Sequence, residues 1–364
     1  MTSPRCRWCR SADGSVVLDL GAQPPADHFP ALGDPGPDVV FPLRMWLCAA
    51  CGLAQLAEDE TDPDEPRGVE PAALVEQAAD AVGRAAVLLP ASGTVREYGS
   101  PHGGSWLSLL EERGLTPVSA GTADVLVDCF GLMHESDQRA ALRERVAGLA
   151  GDGVLLLQFH TLAAILREGQ WSALRHGHYA YYSMPVLVEM LSAVGLVART
   201  AFRFDLYGGT ILVAATREGT PDDSVRSLVS EESDFGVTTT EIVAGLQEAA
   251  VRSSDSIAVW LEKQRAAGNR VLGYGAASRA VAQLCRAGVT RELLPAIADA
   301  SEAKQGRRMP SSGIPIISPD ELVDARPDAV LLFLPDLLPE VRRRLPEIEA
   351  AGGRWVPSDA VEKD

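Results

Sequence analysis

Two cysteine pairs constrain this chain more than any other feature: Cys6 and Cys9 in CRWC, and Cys48 and Cys51 in CAAC. Each CxxC forms a tight knuckle that turns two sulfurs to one side, and two knuckles close a four-thiolate shell around a tetrahedral Zn²⁺. Four protein ligands leave no open position for water, so the predicted role is structural. A segment as short as residues 1–60 builds a poor core by itself, and metal binding supplies the missing folding free energy. The other two cysteines, Cys129 and Cys285, sit in apolar surroundings and read as core.

A length of 364 residues has room for two or three domains. The chain contains no apolar run of about 18 residues or more, so no transmembrane helix is expected. Its opening MTSPRCRWCRSADG lacks the apolar stretch of a secretory signal, and the expected location is the cytoplasm. The net charge of −17 opposes binding to nucleic acid or to an anionic membrane. A small anionic ligand, held by local N–H groups and a few basic side chains, remains compatible with it. Residues 57–71, AEDETDPDEPRGVEP, hold seven acids and three prolines and read as a loop or linker.

From about residue 75, AALVEQAADAVGRAAVLL (residues 72–89) has helical periodicity. GTVREYGSPHGGSWLSLLEERGL then gives a short apolar strand, a glycine-rich turn and a helix starting near Ser105. That order is the usual first unit of a doubly wound sheet, where glycines let a ligand approach the backbone and the helix N–H groups face it. TPVSA, ADVLVDCF, GVLLLQFH and GGTILVAATR follow as strands, alternating with the helices DQRAALRERVAGLA and MPVLVEMLSAVGL. The class is α/β with a mainly parallel sheet. Five of the six histidines (His102, His134, His160, His176 and His178) fall on loops at strand carboxyl ends or in RHGHYAYYS, residues 175–183. That stretch has three readings: a metal site, an acid/base site or an aromatic-rich core strand. With no HExxH and no nearby cysteine pair, acid/base work is favoured over a second metal site.

A long helix through EIVAGLQEAAVRSSDSIAVWLEKQRAAG leads into NRVLGYGAASRAVAQLCRAG, again strand, glycine turn and helix. GYGAAS has the form of a phosphate cradle or of a purely structural turn. KQGRRMP clusters Lys304, Arg307 and Arg308 as either an anion site or a solvated face.

Taken along residues 5–358, the chain resembles the bacterial deoxysugar C-methyltransferases of antibiotic pathways. The matching pieces are the two CxxC pairs, LGAQPPADHF, FPLRMWLCAACGLAQL, EYGSPHGG (similar to the family's EIGSNDG), GLMHE (NVFAH), RHGHYAYYS (YHEHLSYFS) and DASEAKQGRRMPSSGIPIISPDEL. The resemblance implies an N-terminal four-cysteine zinc-binding domain over residues 1–60 and a linker and helix over 61–90. It implies a central class I S-adenosylmethionine (SAM) methyltransferase-like doubly wound sheet over 91–220. Connecting helices over 221–268 and a C-terminal Rossmann-like α/β domain over 269–364 complete the expected order.

In that family the substrate is a nucleotide-linked 4-keto sugar: a base removes the proton beside the ketone, and the enolate attacks the SAM methyl. Carried over by position, His178 is the expected base, with His134 and His176 polarising the oxygen or orienting their neighbour. Glu97, Gly99, Ser100, His102, Gly103 and Asp128 are the expected cofactor-binding residues, and His160, Tyr181, Tyr182 and Tyr274 the expected substrate wall. The implied partner is a small secondary-metabolite substrate, the cofactors SAM (or S-adenosylhomocysteine, SAH, as bound product) and structural Zn²⁺, and the assembly a monomer or homodimer.

The chain departs from the family in three places. The glutamate between the two histidines is Gly177. TPVSAG runs almost directly into ADVLVD, without the acid that grips the SAM ribose or the helix–strand–helix that follows it. EPRGVEP has no tyrosine where relatives carry Tyr-x-Tyr. These departures keep a second chemistry open, in which the cofactor portion arrives attached to the substrate and an internal displacement closes a small ring and expels SAH.

Overall fold

The computed structural model describes residues 4–61, 70–99 and 104–361. Among the described residues the strands form three sheets. In the first, β1 (Gly14–Gln23), β2 (Phe41–Cys48) and β3 (Ala54–Leu56) make an antiparallel meander.

The central sheet begins behind α1 (Ala72–Ala85) with β4 (Gly93–Tyr98), and α2 (Leu107–Glu111) leads to β5 (Leu115–Pro117). It continues through β6 (Ala123–Cys129), α3 (Gln138–Gly148), β7 (Leu149–His160) and α4 (Leu162–Arg167). The next strand, β8 (Ala180–Tyr181), leaves this sheet and pairs antiparallel with β3, so the RHGHYAYYS stretch completes the N-terminal sheet. The chain returns through α5 (Met184–Ser192), β9 (Val197–Phe204) and β10 (Thr210–Thr216).

The central order is β5-β4-β6-β7-β10-β9, parallel from β5 to β7, with β10 antiparallel to both neighbours. β7 shows why the sheet is buried on both faces. Leu155, Leu157 and Phe159 enter one core cluster with α3 and α5, while Val154 and Leu156 enter another with α1. Alternation puts successive side chains on opposite faces, so a strand covered on both sides reads as a continuous apolar run. β9, VARTAFRF, is a strand without a clear signal in the sequence, because Arg199 and Arg203 break its apolar run.

Beyond α6 (Asp223–Phe235) and α7 (Thr240–Ala266), the third sheet is all parallel in the order β13-β12-β11-β14-β15. Its strands are β11 (Val271–Tyr274), β12 (Ile297–Ala298), β13 (Ile316–Ile317), β14 (Ala329–Leu332) and β15 (Arg354–Pro357). Its helices are α8 (Ser278–Arg286), α9 (Pro319–Asp324), α10 (Leu338–Arg344) and α11 (Glu347–Ala350). Ser318 and Glu321 form a reciprocal capping box at the start of α9.

The three sheets are tied together. One buried cluster joins Cys6, Trp8 and Trp46 to Leu126, Leu157 and Ile211. The basic KQGRRMP segment holds the N-terminal loop instead of an anion. Arg308 forks onto Asp38 at 2.6 and 2.7 Å, and Arg307 Nη1 donates to the Phe29 carbonyl at 2.8 Å. Arg307 and Arg308 are thus used within the chain, and of this cluster it is Lys304 that lines the cavity described below.

Candidate active site and metal centre

The four N-terminal sulfurs converge. Cys6 Sγ lies 3.5 Å from Cys51 Sγ and Cys9 Sγ 3.6 Å from Cys48 Sγ, with all four within 4.8 Å of one another. A disulfide would bring sulfurs to about 2.05 Å. Tetrahedral thiolates at about 2.3 Å from Zn²⁺ stand nearly 4 Å apart, which this set fits. Both knuckles close in the same way: Arg10 and Gly52, each just after its CxxC, take left-handed φ values of 67° and 73°. Their N–H groups donate to the carbonyls of Cys6 and Cys48 at 3.0 and 2.9 Å.

A cavity of about 270 Å³ opens between the carboxyl edge of the central sheet and the start of α8. In a doubly wound sheet ligands bind at this edge, where the strand order reverses, here between β4 and β6. Phe130, Met133, His160, Arg175, His178, Tyr181 and Tyr207 form the central wall. Tyr274, Ser278, Arg279, Asp299, Lys304 and Arg344 form the opposite one, and Asp27 comes from the N-terminal unit.

Arg175 stands where all three units meet. Its Nε–H donates to His178 Nε2 at 2.6 Å, its Nη1 donates to Ser278 Oγ, and the same Nη1 lies 3.4 Å from Asp27 Oδ2. A guanidinium has no acceptor and keeps its charge, so His178 Nε2 meets it with a lone pair and the ring is the neutral Nδ1–H form. His134 packs edge-on to His178 with ring centroids 4.6 Å apart. Burial, with a lesser push from Arg175, takes the His134 imidazolium down to about 4.

Of the other expected site residues, His160, Tyr181 and Tyr274 line the cavity, whereas His176 and Tyr182 do not. His176 turns away from the cavity, its Nε2 3.1 Å from the Pro42 carbonyl, and burial lowers its imidazolium. Tyr182 is in the central core with its hydroxyl on Gln138. Tyr181 lines the cavity, but its hydroxyl donates to the Ala173 carbonyl and accepts from Arg175 N, both at 3.2 Å. Tyr274 lines the far wall, packed at 5.6 Å on Trp355.

The two acids expected to hold the cofactor are occupied by the fold. Glu97 accepts from Ser105 Oγ at 2.6 Å and from Trp106 N at 2.7 Å. Asp128, fully buried, takes the N–H groups of Gly131 and Leu132 on one oxygen and Arg145 Nε at 2.7 Å on the other. Ser100, His102 and Gly103 lie outside the described residues. Gly99 has open space where a side chain would stand, and Glu70, Leu74, Phe130 and Met133 face the cavity beside it. This edge fits a flat adenosyl ligand laid against backbone and apolar side chains. β5 passes to β6 through residues 118–122 alone, so the strand that would flank β5 is missing.

Arg175, Tyr207 and Arg279 are cavity residues that the sequence reading did not single out. For Arg175 the signal was present, since RHGH carries arginine where the family's YHEH has tyrosine. Tyr207 gave only the weak cue of an aromatic before two glycines.

Known proteins match over the same parts. The zinc binding domain family model matches residues 6–65, and that of the C-methyltransferase C-terminal domain matches residues 205–358. C-methyltransferase NovU of Streptomyces niveus is 26% identical over 403 aligned residues, spanning 96% of this chain and 94% of that protein. Among solved structures, the 1,6-didemethyltoxoflavin-N1-methyltransferase of Burkholderia thailandensis with bound SAH is 14% identical. It covers 47% of this chain and 96% of its own, at a TM-score of 0.28. Magnesium protoporphyrin IX methyltransferase of Synechocystis is 12% identical, covering 40% and 83% at 0.28. The matched segments, the metal shell and the doubly wound sheet together define a SAM-dependent methyltransferase with a zinc-binding unit. More closely, the chain is similar to C-methyltransferase NovU over nearly its whole length, and the two family models match its two ends.

Proposed function

We propose that the protein methylates a carbon next to a carbonyl group in a small secondary-metabolite precursor, with His178 as the base and Arg175 as the oxygen-binding cation. The observation that carries this reading is the 2.6 Å bond from Arg175 Nε to His178 Nε2 on the cavity wall. A substrate carbonyl oxygen competes for the same guanidinium. When Arg175 turns to it, the lone pair of His178 is released beside the acidified C–H bond. The C–H bond breaks, the proton passes to His178 Nε2, and the electron pair becomes an enolate whose oxygen is held by Arg175. His134 supports the ring edge-on and stays neutral. Bound SAM supplies the electrophilic methyl group, and Gly99, Leu74, Phe130 and Met133 would hold it.

The short β5–β6 connection favours a second reading. With no acid at the end of β5 to grip a ribose, a cofactor portion already joined to the substrate needs no separate site. The carbanion formed at His178 then attacks the carbon attached to sulfur, closing a ring as the C–S bond breaks and SAH leaves.

The half-reaction tests the proposal without a cofactor. A thymidine-diphosphate-linked 4-keto-6-deoxyhexose incubated with the protein in D₂O should exchange the proton beside its ketone. His178→Asn should slow this by about 10²–10⁴-fold, with ligand binding nearly unchanged. Unaltered exchange in that variant removes His178 as the base. Ketone-bearing ligands that never exchange, together with ring closure on a sulfonium adduct, favour the second reading.

A further inference from the structure

Among the described residues, four positively charged side chains line the cavity, and an acid meets three of them. Arg175 stands 3.4 Å from Asp27, Lys304 3.5 Å from Asp299 and Arg344 3.5 Å from Glu340. Arg279 is the fourth. Among the described residues, no carboxylate lies within ion-pair distance of its guanidinium, and no oxygen accepts a hydrogen bond from it. Its nitrogens are open to the cavity and not sealed in packing. Burial works against its charge, and Asp336 favours that charge only from beyond ion-pair distance. A guanidinium keeps its proton, so a part-buried one without an acceptor calls for an anion.

The surroundings hold this cation in place and leave its edge free. Its Cζ lies 5.5 Å over the Tyr207 ring, which steadies one face of the plane and leaves the in-plane N–H fork unused. Tyr207 takes a left-handed φ of 57°, a strained state for a non-glycine residue that persists where packing over-determines it, commonly at ligand sites. Arg279 is also the second residue of α8, which has no side-chain cap. The N–H groups of Ser278 and Arg279 have no acceptor among the described residues, and both residues line the cavity. Their partial positive charge adds to that of the guanidinium.

The cofactor edge of the central sheet lacks such a cation. Gly99, Leu74, Phe130 and Met133 offer backbone and apolar surface, and the one arginine on that wall, Arg175, is engaged by His178, Ser278 and Asp27. A SAM or SAH molecule laid there brings an α-carboxylate that must be met once it leaves water. The way from this edge to the free cation is short. Phe130 meets Tyr207 at 6.2 Å between ring centroids, and Tyr207 carries Arg279 on its face.

We propose that Arg279 completes the cofactor site from the third sheet, its N–H fork binding the α-carboxylate in the methionine part of SAM or SAH. A planar fork matches a carboxylate through paired, charge-assisted hydrogen bonds. A sulfonium-linked substrate keeps the same carboxylate, so the assignment holds for methyl transfer and for ring closure alike. A diphosphate carries more charge than one arginine balances, and Lys304 and Arg344 already have their acids. The inference rests on the reading of this cavity as a SAM site.

Calorimetry on the zinc-loaded full chain compares SAH with its decarboxylated analogue, which keeps the adenosyl group and the amine. The wild type should bind SAH roughly tenfold to a hundredfold more tightly than the analogue. Arg279→Gln should lose that preference by weakening SAH alone, and Arg279→Lys, which keeps the charge without the fork, should recover part of it. The wild-type comparison needs no variant, so it decides the matter even where a substitution prevents folding. Equal affinity of the wild type for the two ligands, or a folded glutamine variant that still prefers SAH, overturns the proposal and leaves the SAM reading intact. Thymidine diphosphate is the control anion: if Arg279→Gln loses it while SAH binds unchanged, the arginine holds a phosphate and the proposal falls. A wild type that binds neither SAH nor the analogue overturns the SAM reading and the proposal together.

Discussion

Asp128 and Arg145 show how a side chain at a ligand-binding edge is spent on the fold. Both are buried, at 0% and 2% exposure, and Arg145 also reaches Glu135 at 3.3 Å. An acid at the end of a central strand is where a methyltransferase sequence invites a cofactor contact. Here the turn after β6 consumes it, since Gly131 N and Leu132 N would otherwise lack an acceptor. Removing one partner of a buried ion pair strands the other charge and costs about 3–5 kcal/mol. Asp128→Ala should therefore lower the denaturation midpoint by that amount of stability, measured in urea. Its SAH affinity, measured at a temperature where it remains folded, should stay near the wild-type value; loss of SAH binding with stability intact would return Asp128 to the cofactor site.

The decisive element is the short strand β8 with the turn before it. Gly177, where relatives carry glutamate, has φ 79° and donates its N–H to Asp59 Oδ2 at 2.7 Å. Two residues on, Tyr179 N donates to the Met133 carbonyl at 2.7 Å, and Tyr179 O accepts from Leu56 N at 3.3 Å. His178 is thus pinned between bonds to the acidic segment, to the turn after β6 and to β3. Nothing lies within 4 Å of a Cβ built at Gly177, so a side chain there meets no clash and only the left-handed backbone opposes it. That backbone costs an L-residue about 1–2 kcal/mol. Gly177→Ala should lose that much stability, and should lower the exchange rate at His178 more than it changes ligand binding. An alanine variant as stable and as fast as the wild type would show that the turn tolerates other conformations.

At the scale of the molecule, the metal shell and the cavity are mechanically linked. β8 hydrogen-bonds to β3, which follows directly on Cys48 and Cys51, and the Arg175–Asp27 contact joins the same unit to the cavity. Thiolate–metal bonds contribute folding free energy to a unit of this size. Metal analysis should therefore find about one zinc per chain. Stripping it with a strong chelator, or Cys48→Ala, should expose the segment around residues 40–60 to protease and abolish exchange at His178 together. A metal-free protein that keeps full exchange would uncouple the two. No helix among the described residues is long and apolar enough to cross a membrane, which agrees with the hydropathy.

Local chemistry was legible in the sequence because it depends on spacing alone. Two CxxC knuckles at this spacing indicate a thiolate shell, the apolar run of β7 reads as a strand, and EYGSPHGG followed by SWLSLL reads as a strand, a turn and a helix start. The missing sheet edge was equally visible, since five residues between β5 and β6 cannot hold a helix and a strand. What the tertiary structure decided were the partners of polar groups, which join residues far apart in sequence. Nothing in RHGHYAYYS says that its second half pairs with β3, so His176 turns to Pro42 and Tyr182 enters the core while His178 reaches the cavity. Nothing in KQGRRMP says that Asp38 and the Phe29 carbonyl already hold its arginines. The side of β7 taken by His160 follows from alternation, but the ring it meets there, that of Tyr207 at 6.2 Å, lies some forty-seven positions later. Short-range geometry is written in residue order, whereas the satisfaction of buried donors and acceptors is settled only when distant segments pack together.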